Sequence, residues 1–332
     1  MSQISNFFKI LSLTVLVLVV GFTTLKAQAA LLVSSRFSNS IKIYDEQGNF
    51  IRDFVPPGSG GLNDADGLAI GPDGNLYVAS YLGGSILRYN GKNGKFIDTF
   101  VPAGSGVPGT PGLQRPTALT FGPNGNLYVS NYLSESPNEP EVSVSPNDNV
   151  LEFDGKTGAF IQAFLPPIDQ SPSEGPLALT FGPDGYLYVT ASKLNSVLRY
   201  NPTNGAFIDS FIPSGSAGLA NPTGLAFGKN GNLYVSNFGG NNILEFDGQT
   251  GTFVKAFTTT NTEEMSGPSS VVFGPDNNLY VTGLITKNVV RYDGTTGESL
   301  GEFVPAGKGG LDGTNLGLVF DQKSCSVKGG RK

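Results

Sequence analysis

The chemistry open to this chain is bounded first by what it lacks. Histidine is absent from all 332 residues, and so is tryptophan. An imidazole base, an imidazole metal ligand and every Ser/His pair are therefore excluded by composition. The single cysteine, Cys325, lies in the polar basic stretch QKSCSVKGGRK. It has no partner for an internal disulfide and no companions for a thiolate zinc site, so it reads as an inert thiol. Two short stretches imitate ligand loops. Asn63, Asp64, Ala65, Asp66 and Gly67 resemble part of a calcium loop, but Leu62 stands where the first ligand belongs. Gly155, Lys156 and Thr157 imitate the end of a phosphate loop, yet Val150 occupies the place of its glycine. Serine catalysis with Lys or Asp is allowed by residue type, and no spacing supports it.

The elements that would position any remaining site follow from a repeat. From Pro222 the chain reads PTGLAFGKNGNLYVSNFGGNNILEFDGQTGTFVKAF, with close copies beginning near Asp66, Pro116, Pro176 and Pro268. The aromatic of the first segment recurs at Phe121, Phe181, Phe227, Phe273 and Phe320, with Ile70 in its place in the first copy, at intervals of 51, 60, 46, 46 and 47. The unit is thus 46 residues long, and the two long intervals are accounted for by insertions, one within 102–116 and one at 134–148.

Each copy contains four β-prone runs, for example Gly224 to Phe227, Asn232 to Ser236, Ile243 to Phe246 and Phe253 to Phe257. Four strands per repeat make a propeller blade. Turn chemistry separates the runs. Gly-Pro-Asp-Gly at 71–74 and 182–185, and Asp-Gly-x-Thr-Gly at 154–158, 247–251 and 293–297, supply residues that enter left-handed conformations and close hairpins. Gly and Pro are abundant, at 46 and 22 residues, while only 14% of residues are charged, which fits many short strands and argues against helical bundles. Five full copies and an orphan first strand, 317–321, leave one blade short of three strands. Residues 31–54 match those three, with Val33 under Val235, Tyr44 under Phe246, Phe50 under Phe253 and Phe54 under Phe257. The expectation is an all-β, six-bladed propeller over 30–321, its last blade closed by 31–54 and 317–321, followed by a disordered basic tail at 322–332. Closure removes the open sheet edges.

The unit resembles the NHL repeat in its P-x-G-[IL]-[AT] start, its D-G-N-L-Y-V-[AS]-[DN] second segment, its N-x-[IV] third and its closing G-x-F-[IV]-x-x-F. The resemblance runs from Leu31 to Asp321. Similar six-bladed propellers include binding modules, lactonases of the gluconolactonase and regucalcin type, and streptogramin-type lyases. The lyases use histidine, so the resemblance does not extend to their chemistry here. The lactonases hold a divalent metal in the central channel through carboxylate and Asn/Asp ligands near the starts of innermost strands.

In this chain those starts carry Asp66, Thr117, Leu177, Thr223, Ser269 and Leu316. The ends of the second strands fall on the same face because the hairpin reverses the chain; they are Ser35, Ser80, Asn131, Ala191, Asn237 and Gly283. The residues expected to meet a ligand are therefore Asp66, Thr117, Asn131, Thr223, Asn237, Ser269, Ser80 and Ser35. A metal is not expected. The candidate ligands for calcium or another divalent cation are Asp66, Asn131 and Asn237, a set whose single formal charge makes a weak site.

Lys9, the apolar run from Ile10 to Phe22 and the Ala27-Gln28-Ala29 pattern read as an export signal cleaved after Ala29. Loss of Lys9 and Lys26 with it takes the formal charge from −6 to −8. An acidic chain without a basic stripe is no partner for nucleic acid. The mature chain, with no transmembrane anchor, is expected to be a secreted or periplasmic monomer. The leading reading is a non-catalytic propeller that binds a protein, small-molecule or carbohydrate ligand through the channel face and the 134–148 loop, which carries Glu135, Glu139, Glu141 and Asp148. The alternative is a metal-dependent lactonase, with Asp66 as the anchor of the ion.

Overall fold

The computed structural model describes residues 29–106, 112–132, 149–164, 175–260, 263–314 and 316–321. The leader, the 134–148 insertion and the tail with Cys325 lie outside the described residues. Six four-stranded antiparallel sheets form the ring. Blades 1 to 5 span 65–101, 116–164, 176–212, 222–256 and 268–304. Blade 6 joins the two ends of the chain: Leu318–Asp321 is its innermost strand, and Ala30–Ser35, Ser40–Tyr44 and Phe50–Val55 follow outward. The expected six-bladed closure is thus the observed one, with Leu31 opposite Phe320 and Val33 opposite Leu318.

The first strands begin earlier than the hydrophobic run suggests. In blade 4 the strand is Pro222–Phe227, with Pro222 opposite Asn237 and then Leu225 opposite Val235, so Thr223 and Gly224 form a bulge. The same interruption occurs in blades 1, 2, 3 and 5. Proline is tolerated at a strand's first residue, where its missing N–H removes no ladder bond. The bulge turns the mouth of the channel, and its third residue must be small. A Cβ on Gly67 would stand 2.3 Å from the Thr117 carbonyl oxygen, and one on Gly224 would stand 2.1 Å from that of Ser269.

Blades adhere through a repeated aromatic clasp. The second-strand tyrosine of each of blades 1 to 5 lies edge-on between the last-strand phenylalanine of its own blade and the first-strand phenylalanine of the next. For Tyr77 these are Phe100 and Phe121, at 4.9 and 4.8 Å between centroids; for Tyr234 they are Phe257 and Phe273, at 4.8 and 4.9 Å. Tyr128, Tyr188 and Tyr280 repeat the arrangement. The junction between blades 6 and 1 departs from it. Leu32 replaces the tyrosine and Ile70 the receiving phenylalanine, and both pack in one cluster with Phe54. Two aliphatic departures far apart in sequence thus compensate each other across one seam.

Candidate functional site

The channel mouth is built from the bulged strand starts. Thr117 Oγ1 donates to the Leu177 carbonyl of blade 3 at 3.0 Å, and Thr223 Oγ1 donates to the Pro268 carbonyl of blade 5 at 2.8 Å. Asp66, fully buried, accepts the Leu316 N–H at 3.1 Å across the closing seam. Ser269 shares a 2.8 Å hydrogen bond with Thr282 of its own blade. Asp66, Thr117 and Thr223 thus fasten one blade to the next, while Ser269 bonds within its own. Leu316, buried, lies among them.

The second ring holds the loops that link blades. Asn131 Oδ1 accepts the Gln114 and Arg115 N–H groups at 3.0 and 3.1 Å, while its Nδ2 donates to the Gly112 carbonyl at 3.1 Å. Asn237 repeats the grip on Ala220 N–H at 2.8 Å and also donates to Asn242 Oδ1 at 2.9 Å. Ser80 Oγ accepts from Asn63 N–H and donates to its carbonyl, at 3.0 and 3.1 Å. Ser35 Oγ donates to Asp312 Oδ1 at 2.6 Å. Asp66, Asn131 and Asn237 therefore stand in blades 1, 2 and 4, each already engaged with neighbouring backbone. Among the described residues no group of three or more Asp, Glu, His or Cys side chains could hold a metal ion.

The turns between second and third strands surround the same mouth, and here blades differ. Arg36 forks Asp64, with Nε to Oδ1 at 2.5 Å and Nη2 to Oδ2 at 2.9 Å. The bond from Asp64 raises the Arg36 pKa against the opposing effect of burial. Asp64 also takes a left-handed backbone conformation, φ 60°, with its N–H held by Asn39 Oδ1. The calcium-loop resemblance at 63–67 thus resolves into an ion pair. Arg36 and Arg115 both approach the Tyr81 ring, at 5.4 and 5.8 Å from its centroid, and burial raises the Tyr81 pKa against the two arginines. Phe37 and Leu82 follow Arg36 and Tyr81 on the turns of blades 6 and 1, and Ile285 stands on the corresponding turn of blade 5; the three are 68, 58 and 62% exposed. Lys287 Nζ stands 5.6 Å from the Phe37 ring. None of these was singled out from sequence. The available signal was that these turns read RFSN, YLGG and LITK while the strands around them repeat.

The opposite face carries repeating polar networks. In blades 1 and 3, Arg88 and Arg199 fork Asp98 and Asp209 of the outermost strand, and Tyr77 and Tyr188 donate to Asp73 and Asp184 of the first hairpin turn. In blades 2 and 4 the arginine is replaced by Glu152 or Glu245, and the turn aspartate by Asn124 or Asn230. The paired exchange has an electrostatic reason, since two carboxylates would repel where an amide can donate. Gly155, Lys156 and Thr157 form another hairpin turn here, with the Lys156 and Thr157 N–H groups donating to Asp154 Oδ1. A cleft of about 140 Å³ between blades 4 and 5 is bordered by Glu245, Tyr234 and Asn277.

No family model and no curated protein matches the chain. Solved structures do. A chain of a nidogen/laminin complex is similar over 90% of this chain and 100% of its own, at 15% identity and a TM-score of 0.65. A catalytically inactive histidine-to-alanine variant of virginiamycin B lyase from Staphylococcus aureus, with quinupristin, matches over 90% of this chain and 94% of its own, at 16% identity and a TM-score of 0.58. A Bacteroides caccae protein of unknown function matches over 88 and 99%, at 16% identity and a TM-score of 0.60. At such identities the likeness is one of fold, a six-bladed β-propeller shared in architecture with streptogramin B lyase.

Proposed function

We propose that this is an exported, non-catalytic propeller that docks a protein partner on the face carrying the blade-linking loops. The observation that carries the reading is the arc of Ile285, Phe37 and Leu82, three large apolar side chains presented by corresponding turns of consecutive blades, the last two adjoining the Arg36, Tyr81 and Arg115 stack. Apolar anchors flanked by arginine and aromatic groups are the composition of interface cores. The channel mouth supports the same reading, because its hydroxyls and amides are engaged in holding blades and loops. Lyase chemistry that depends on histidine has no residue to use here. The pattern at 1–29 read as an export signal supports a partner outside the cytoplasm.

The test replaces Phe37, Leu82 and Ile285 by serine together. The reading expects an unchanged melting temperature, since exposed side chains carry little stability, and loss of a partner recovered by cross-linking the wild type in the exported fraction. Deletion of 134–148 measures the insertion's share of that contact. A metal-dependent turnover of lactones by the purified protein with calcium, magnesium, manganese or zinc, abolished by Asp66→Asn, would overturn the reading.

A further inference from the structure

Blade 5 keeps the arginine, tyrosine and turn aspartate of the rim network, Arg291, Tyr280 and Asp276, and lacks the carboxylate that faces the arginine from the outermost strand. In blades 1 and 3 the outermost strand sets an aspartate opposite the arginine, Asp98 against Arg88 and Asp209 against Arg199. Nε to Oδ1 distances there are 3.0 and 3.1 Å, and a second bond joins Nη2 to Oδ2. The same ladder in blade 5 runs from Val290 opposite Glu302 to Tyr292 opposite Ser299, which brings Gly301 to the aspartate position beside Arg291. A Cβ on Gly301 would meet nothing within 4 Å. The guanidinium nonetheless stays near its usual ring, 5.6 Å from the Phe303 centroid against 5.0 Å for Arg88 over Phe100 and Arg199 over Phe211. Its Nε is buried and has no hydrogen-bond partner.

We infer that Arg291 is a binding site for a carboxylate supplied by a ligand, seated where Asp98 and Asp209 sit in the sister blades. Three observations converge on it. The fold itself shows, twice, that an arginine at this rim position takes a carboxylate in a two-bond fork, the strongest geometry open to a guanidinium. In blades 1 and 3 this position opens to solvent, where the Asp98 and Asp209 side chains that fill it are 43 and 42% exposed, and in blade 5 no side chain stands in the place a Cβ of Gly301 would take. A buried N–H without an acceptor is unfavourable, so an arriving oxygen relieves a penalty already present. The site lies on the hairpin-turn face, opposite the arc of Ile285, Phe37 and Leu82, and is independent of the docking reading.

The experiment uses the mature protein labelled with nitrogen-15 at arginine, with acetate as the carboxylate probe and chloride holding ionic strength constant. The Nε–H signals of Arg88, Arg199 and Arg291 are followed together, Arg291 being assigned by Arg291→Lys. The expected result is a saturable displacement of the Arg291 signal alone, because the other two arginines are occupied by their own aspartates. Gly301→Asp is expected to abolish that displacement and to move the Arg291 signal into the range of Arg88 and Arg199. Gly301→Ala bears the same cost of a side chain at φ +93° but brings no carboxylate, and is expected to keep the response. No displacement of Arg291, equal displacement of all three arginines, or a response to inorganic phosphate without one to acetate would each overturn the inference. The wild-type titration decides the matter even where a glycine variant fails to fold.

Discussion

The two faces of the ring solve the same problem by different means. On the hairpin-turn face each blade satisfies itself: Asp73, Tyr77, Arg88 and Asp98 lie within 26 residues of one another, and blade 3 repeats the set. On the linker face the contacts tie each blade to the loop that leads into it, as Asn131 holds Gly112, Gln114 and Arg115 and Asn237 holds Ala220, and at the closing seam they join the two chain ends, Ser35 to Asp312 and Ser34 to Gly317. Repetition makes the first face nearly interchangeable from blade to blade. The second is where each loop differs, and it is also where the exposed apolar arc and the Arg36, Tyr81 and Arg115 stack occur. A scaffold stabilised locally on one side leaves the other free to vary, which is where binding residues accumulate in folds of this kind.

The sharpest break of that comparison is removal of the strands that unite the two chain ends. A chain beginning at residue 56 lacks Ala30–Val33, which pairs with Leu318–Asp321, and is left with an open edge that invites aggregation. Sedimentation and thermal melting should show the largest effect of any change considered; a melting temperature equal to that of the mature protein would contradict the observed closure.

Alkaline pH should come next, because it acts on every blade at once. Burial raises the pKa of Tyr44, Tyr77, Tyr89, Tyr128, Tyr188, Tyr234 and Tyr292, and pushes Tyr280 up to about 12. A tyrosine whose folded pKa exceeds the unfolded value of about 10 keeps its proton longer when folded. Its stabilising contribution is complete below pH 10 and declines as pH rises toward the folded pKa. Tyrosinate absorbance from these eight rings should therefore appear together with unfolding, not before it. Gradual titration of these rings in the folded protein near pH 10 would show that the clasp is open to solvent.

Single substitutions then compare the faces directly. Glu152 accepts from Asn124, Asn126 and Tyr128 at Oε1 and from Gln162 at Oε2. Glu152→Ala strands four donors and should lower stability by about 3 kcal/mol in denaturant titration. On the linker face Asn131→Ala removes three bonds to one loop and should cost about 2 kcal/mol. If the loss at Asn131 exceeded that at Glu152, the linker face would be the more cooperative of the two. The smallest effect is expected at Phe37, where serine should change stability by less than about 0.5 kcal/mol while weakening partner capture.

Strand count, blade closure and hairpin turns were legible in the sequence because each is a short-range property repeated along the chain. Even the chain-end blade was readable, since Val33, Tyr44, Phe50 and Phe54 carry the repeat's own pattern. The start of the first strands was misplaced by two residues in blade 4, because the bulge at Thr223 and Gly224 breaks the alternation that identifies a strand. The candidate ring was readable as the strand starts and ends that the repeat sets on one face, but the partners of its side chains were not. Asn131 and Asn237 look like ligands by type, and only the path of the preceding loop shows that their amides hold its backbone.

Composition alone determined that no imidazole acts here, and the repeat, with four β-prone runs in each 46-residue unit and three more at 31–54, pointed to a ring of four-stranded blades. Those conclusions rest on residue identity and on local backbone preference, neither of which needs a neighbour. The ion pair of Arg36 with Asp64, the stack on Tyr81 and the unpartnered Nε of Arg291 were decided by tertiary structure. Each depends on which turn the ring brings beside which. Residues 36 and 81 lie on turns of blades 6 and 1 and residues 64 and 115 in the linkers that lead into blades 1 and 2, and they become neighbours only when these blades pack side by side. Hydrogen bonds and ion pairs act over a few ångströms, so their partners are set by the closed ring and not by the order of residues along the chain.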